Sequence, residues 1–258
     1  MDIFIISITA LSASLLTFFS GFGLGTMLTP VFYLLYGDLI LAIMMTAIVH
    51  FVNNVFKFIL MNKSINWPIA LKFGGIAIPA AMLGAYLISN MEETVIFTYS
   101  FAGYPKEIFL SNLLFGLVLI IFALVELIPK WGFLFARASV LFGGLLSGFF
   151  GGLSGHQGAL RTAFLIKFQL EKEVFIATGI VIALVVDIVR TPFYFIDQKA
   201  TLIWDDWLLI IIAISAAIVG AILGKLLLKK IKLKTLNLTV GIAMLIFGLL
   251  LAGGILNQ

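Results

Sequence analysis

Gly21-Phe22-Gly23-Leu24-Gly25-Thr26 and Gly151-Gly152-Leu153-Ser154-Gly155-His156-Gln157-Gly158 are two places where long apolar runs of this chain break into glycine. Each break is followed by a short, mostly apolar segment, Met27 to Tyr36 and Ala159 to Phe168. A helix of about a dozen residues covers roughly 18 Å, well short of a hydrocarbon core of about 30 Å. The spacing therefore predicts two half-helices, each starting inside a membrane. A helix start leaves backbone N–H groups without partners and carries about half a positive charge, which suits an anion. Short, glycine-interrupted segments at corresponding places in two halves of a membrane protein point to a ligand site between the halves.

The composition around these breaks demands a bilayer. Apolar residues make up 62% of the 258 and charged residues 11%, with mean hydropathy +1.21, which leaves too little polar surface for a soluble globule. Cysteine is absent, so disulfides, thiolate metal sites and a cysteine nucleophile are excluded. No cofactor and no metal is expected. Met1-Asp2 runs directly into Ile3 to Phe19 without a basic region, as a first membrane segment does and a cleaved signal does not. The pI near 9.3 raises the question of nucleic acid. Lys and Arg lie mostly in short loops between apolar runs, however, so topology explains the excess and no nucleic-acid partner is expected.

Ten apolar runs follow one another: 3–19, the short 27–36, 39–60, 69–88 and 108–128, then 133–150, the short 159–168, 174–196, 207–228 and 236–256. The fold class expected is an all-α polytopic membrane protein of two repeats, each with four long helices and one half-helix. The joint Ile128-Pro129-Lys130-Trp131-Gly132 separates a first repeat, residues 1–130, from a second, residues 131–258. Lys225, Lys229, Lys230, Lys232 and Lys234 form the densest basic cluster, which places that loop in the cytoplasm. Counting back, the loops of Lys172, of Lys130 with Arg137, and of Lys63 also fall inside. Those of Asp197, Asp205 and Asp206, and of Glu92 and Glu93, fall outside, with both termini outside. A displacement of 133 sets Gly25 on Gly158, Thr29 on Thr162, Asn54 on Asp187 and Lys57 on Arg190. Five segments is an odd number, so the second copy enters the membrane inverted.

Several polar residues have no place in lipid. Arg161 sits about one turn into the second half-helix, where an Arg facing lipid costs at least about 2.5–3.5 kcal/mol. It must face a cavity or a partner, and its planar fork suits two oxygens of an oxyanion; an ion pair with Asp187 is the alternative. Gly23, Gly25, Thr26, Gly155, His156, Gln157, Gly158 and Arg161 are therefore the candidate binding set. The other reading of Gly21 with Gly25, of Gly144, Gly148 and Gly152, and of Gly220 with Gly224 is close helix packing through small residues, which needs no ligand. Asp187 and Arg190 lie i, i+3 on one helix and can satisfy each other, while Lys57 and Arg190, near opposite helix ends, can snorkel to headgroups. His50 and His156 are able to relay a proton or simply to hydrogen-bond. Asn53 and Asn54 lie a turn beyond His50 and either line a polar path or join helices. These six, His50, Asn53, Asn54, Lys57, Asp187 and Arg190, are the candidates for gating or coupling.

The glycine turn running through Thr26-Met27-Leu28-Thr29-Pro30, with the later Leu83-Gly84-Ala85 and its echo Val219-Gly220-Ala221, resembles the TauE/SafE sulfite exporter family of bacterial permeases. The resemblance covers essentially the whole chain in segment layout. Leu24 interrupts the first glycine run, His156-Gln157 replaces part of the second, and Ala163 stands opposite Pro30. The resemblance implies a multi-pass protein of the bacterial inner membrane that exports sulfite or short organosulfonates. A small anion and the lipid bilayer are the expected partners, and a homo-oligomer stays open. The leading expectation is a secondary transporter working by alternating access, with proton coupling through His50, His156 and Asp187. A passive anion channel, or a permease for another small anion, is the alternative. An intramembrane enzyme would need a constellation such as His-Glu-x-x-His, which is missing, or an oriented Ser154/His156 pair. No Gly-x-x-x-x-Gly-Lys-Ser/Thr motif for ATP occurs.

Overall fold

The computed structural model describes residues 1–20, 24–91, 94–101, 103–128, 139–195, 206–227 and 233–256. Among the described residues, ten α-helices fall in order on the ten apolar runs. They are α1 Asp2–Ser20, α2 Leu24–Tyr36, α3 Leu39–Met61, α4 Trp67–Ser89, α5 Leu110–Leu127, α6 Val140–Ser154, α7 Gly158–Leu165, α8 Lys172–Tyr194, α9 Trp207–Leu227 and α10 Leu233–Ala252. Among the described residues, five spans are long and apolar enough to cross a membrane: Leu39–Ser64, Trp67–Ser89, Leu110–Leu127, Lys172–Tyr194 and Trp207–Leu227. The two short helices predicted from the glycine breaks are present as α2 and α7, the latter closing in a 3₁₀ turn at Ile166–Phe168.

Three helices start on a polar residue whose side chain caps them. Asp38 accepts from Leu41 N at 3.0 Å, Asn66 from Ile69 N at 3.2 Å and Ser139 from Phe142 N at 3.1 Å. Each satisfies one of the first N–H groups that a helix leaves unpaired. The all-α expectation needs one addition. Within the polar interruption before α5, Val95–Phe101 (β1) and Tyr104–Phe109 (β2) pair antiparallel around Gly103, whose φ is +86°. Tyr99 Oη donates to Gly253 O at 2.5 Å and ties this hairpin to the end of α10.

The helix directions can be read from side-chain contacts. Ser14 meets Asn53 and Thr17 meets Lys57, so α1 and α3 run the same way. Gly37 and Asp38 alone join α2 to α3, so α2 doubles back against α1 as a re-entrant hairpin. Across the two halves, α4 and α8 run together, Phe73 packing in one cluster with Ile182 and Ala77 in another with Val186. Helices α4 and α6 run together too, because a Cβ on Gly144 would meet Phe73 O and Cβ atoms on Gly148 and Gly152 would run into the backbone at Ala77 and Ala81. The short link after α7 then turns it back against α6.

These glycines bring helix backbones into direct contact, which is how small residues hold membrane helices together. The pairing is reciprocal between the halves. What α4 does with α6, α9 does with α1: Gly220 lies on Leu11 O and Gly224 on Phe18. Helices α5 and α10 pair with each other, antiparallel, with Gly116 against Gly248 and Ala252. Outward faces carry Leu71, Ile121, Leu141, Leu226 and Leu249, each half exposed or more, as a lipid-facing surface requires. The interior they enclose holds α2, α3, α7 and α8, and the buried polar residues with them.

Candidate anion-binding site

The two glycine turns meet. Residues 21–23, Gly23 among them, lie outside the described residues, but Gly25 opens α2 beside the second turn, where a Cβ on it would stand 3.6 Å from Gly155 O. Gly155 ends α6 in the left-handed conformation, φ +78°, its N–H donating to Gly151 O at 2.9 Å. Only glycine takes that conformation without strain. Its missing side chain also admits Arg190, whose Nη1 would lie 2.6 Å from a Cβ there. Gln157 then caps α7 through its backbone, Arg161 N donating to Gln157 O at 3.0 Å. The starts of two half-helices, one from each half of the chain, thus converge.

At their meeting point is a cavity of about 10 Å³, lined by Gly25, Thr26 and His50 from the first half, by Gly155 to Ala159 and Arg161 from the second, and closed by Met244 of α10. That volume is at the threshold for a single water, so a three-oxygen anion enters only when the helices around it shift. Much of the wall is polar. His156 is 4% exposed and neither ring nitrogen makes a well-formed hydrogen bond, although the Ser154 backbone lies within electrostatic reach. Its ring stands edge-on to Phe115, centroids 5.3 Å apart. Gln157 donates weakly to Ala183 O at 3.4 Å and leaves Oε1 without a partner. Arg161 is 2% exposed and passes over Gly179, where a Cβ would come within 3.3 Å of its Nε. Buried polar atoms without partners are costly unless a ligand completes them.

Two networks flank the cavity. On one side Asp187 is saturated: Oδ1 accepts from Arg190 Nε and Nη2, both at 2.9 Å, and Oδ2 from His50 Nδ1 and Asn54 Nδ2, both at 2.7 Å. Arg190 packs over the Tyr194 ring, whose hydroxyl donates to Gly152 O at 2.5 Å. Toward α1, Lys57 Nζ reaches Thr17 Oγ1 at 2.9 Å, the Asn53 amide oxygen at 3.1 Å and the face of Phe18 at 5.8 Å. The Asn53 nitrogen donates to Ala217 O at 3.2 Å.

Seven of the eight candidate binding residues therefore line one cavity, the eighth being Gly23. Of the six coupling candidates, His50 shares that cavity, Asn54, Asp187 and Arg190 form the network beside it, and Asn53 and Lys57 sit apart against α1. Snorkelling of Lys57 and Arg190 is corrected: they are 3% and 1% exposed, because buried polar partners lie nearer than any headgroup. The Ser154/His156 pair is likewise not an oriented nucleophile and base, since Ser154 Oγ donates to Phe150 O at 2.9 Å. Sequence reasoning missed Thr17 and Tyr194. Tyr194 could have been found, one helical turn beyond Arg190; Thr17 carries no such signal.

A family model described as Sulfite exporter TauE/SafE matches residues 6–251 of the chain. Neither a curated protein nor a solved structure matches it.

Proposed function

Since the chain belongs to the sulfite exporter TauE/SafE family and is a multi-pass membrane transporter of sulfur anions, we propose that it exports sulfite or a short organosulfonate by alternating access around the cavity between its glycine turns. The observation that carries this reading is the convergence of two half-helix starts, one from residues 1–130 and one from residues 131–258, on a buried pocket with Arg161 in its wall. Backbone N–H groups and helix dipoles supply positive potential there, and the guanidinium supplies a fork for two oxygens. The reciprocal pairing of α4 with α6 and α9 with α1 supports two inverted copies that rock against each other. The closeness of the cavity supports alternation over a standing pore. The contact of His50 with Asp187 at 2.7 Å supports proton coupling through that pair. The place of the protein is then a bacterial inner membrane, with both termini outside.

Counterflow in proteoliposomes tests this. Vesicles loaded with unlabelled sulfite should accumulate labelled sulfite above its outside concentration, and an imposed pH gradient should drive net movement. Simple equilibration without overshoot would mean a channel; overshoot indifferent to the pH gradient would remove the proton from the account.

A further inference from the structure

Two buried hydroxyls in the first half of the chain have nothing to bond. Thr29 of α2 is 1% exposed and Thr46 of α3 is 3% exposed, and neither Oγ1 has a hydrogen-bond partner among the described residues. A serine or threonine within a helix has a ready acceptor in the carbonyl four residues back, and Ser154, Thr191 and Ser215 all use it. Thr29 and Thr46 do not. Each lies one helical turn from a residue of the cavity wall. Thr46 precedes His50 by four, and its Cγ2 stands 3.9 Å from where a Cβ on Gly25 would be. Thr29 follows Gly25 by four, so the two share a face of α2. A buried polar group left unpaired is costly, and two of them beside an anion cavity call for a ligand that accepts.

Both hydroxyls lie on one side of that cavity. Helix α2 leads away from it, α3 leads back towards it, and Gly37 and Asp38 join them, on the outer side in the orientation proposed above. One turn further out, Tyr33 Oη accepts from Asn112 Nδ2 at 2.9 Å, both side chains buried. Thr26, Thr29 and Tyr33 thus give α2 a polar face from the cavity outwards. The second half is different. The displacement of 133 that sets Gly25 on Gly158 also sets Leu28 on Arg161 and Thr46 on Gly179. Arg161 passes over Gly179 in the second half, whereas in the first Leu28 brings no charge and a hydroxyl stands in the place of the glycine. The inner side of the cavity presents a guanidinium and the outer side neutral donors.

We propose that Thr29 and Thr46 form a second, outer subsite for the transported oxyanion, reached from Arg161 on the way out. The proposal rests on the cavity between the glycine turns being the anion site. Each hydroxyl donates to one oxygen of the anion. Such bonds are strong for neutral donors because the acceptor is charged, but a hydroxyl adds no charge of its own, so the anion is held less tightly than by the guanidinium and is released.

Thr29→Val and Thr46→Val remove each hydroxyl with little change of shape. Without ligand, both full-length variants should melt at or above the wild-type temperature, since neither loses a hydrogen bond; this also shows that they fold. Sulfite transport is then measured in right-side-out and everted membrane vesicles. Each variant should raise the half-saturating sulfite concentration at the outer face at least about fivefold and leave that at the inner face within about twofold. Arg161→Gln should raise both. A lowered melting temperature in the threonine variants would mean structural hydroxyls and overturns the inference. An unchanged outer value, or an equal rise at both faces, also overturns it and leaves the cavity reading standing. Wild-type transport by Arg161→Gln, or no saturable sulfite transport by wild type, overturns the cavity reading and the subsite with it.

Discussion

Gly155 answers two demands at one position. Its φ of +78° lies where a side chain costs about 1–2 kcal/mol, and the space a Cβ would fill is taken by Arg190 Nη1. An alanine there must displace Arg190 from Asp187, and disturbing a buried, hydrogen-bonded ion pair adds a further cost. Gly155→Ala should therefore lose at least about 2 kcal/mol of stability, read as a clear drop in melting temperature in detergent. A wild-type melting curve would show that the turn is not held as described. At this scale the sequence was legible wherever one residue's chemistry was at odds with a membrane: Arg161, Asp187 and the glycines all drew notice. It was opaque for partnerships across the chain. Asn54 and Asp187 are 133 positions apart, and nothing local to either announces that a histidine four residues before Asn54 completes the group. Lys57 looked like a headgroup anchor because its helix ends nearby, whereas its partners Thr17 and Asn53 lie in the interior.

Among the elements, helix existence followed from apolar length alone, and the half-helices from glycine punctuation. The spacing of Gly144, Gly148 and Gly152, and of Gly220 and Gly224, pointed to close packing within helices, and all five meet a neighbouring helix. Gly75 stands outside such a spacing, and a Cβ on it meets nothing within 4 Å while one on Gly148 would strike the backbone of α4 at Ala77. Gly75→Ala should thus be neutral or stabilising by up to about 1 kcal/mol, as loss of chain freedom alone predicts. Gly148→Ala should cost about 1–3 kcal/mol by forcing α4 and α6 apart. Paired thermal unfolding of the two variants checks this, and equal effects would refute the close α4–α6 contact. The β-hairpin escaped notice because the polar residues around Val95–Phe109 read as a solvated loop, and the alternation of Val95, Phe97, Tyr99 and Phe101 is short. Tyr99, tied to Gly253, fixes where that alternation sits.

For the whole molecule, the arrangement of parallel and antiparallel helices agrees with the loop charges, which assign α4 and α6 one direction and α1 and α9 the other. Orientation relative to the cell is a separate matter, and the absence of cysteine makes it simple to test. An impermeant maleimide added to intact cells should label Tyr104→Cys, on the 71% exposed hairpin tip, and spare Lys63→Cys; the reverse pattern would invert the topology. The central claim concerns the middle of the molecule, where both glycine turns and Arg161 form one anion site. Thermal shift of the purified protein with sulfite, for wild type beside Arg161→Ala, addresses it most directly. Ligand at 100 times its dissociation constant stabilises by about 2.7 kcal/mol, so wild type should melt several degrees higher with sulfite and the variant should not respond. A sulfite shift of equal size in both proteins would place the anion elsewhere and contradict the account.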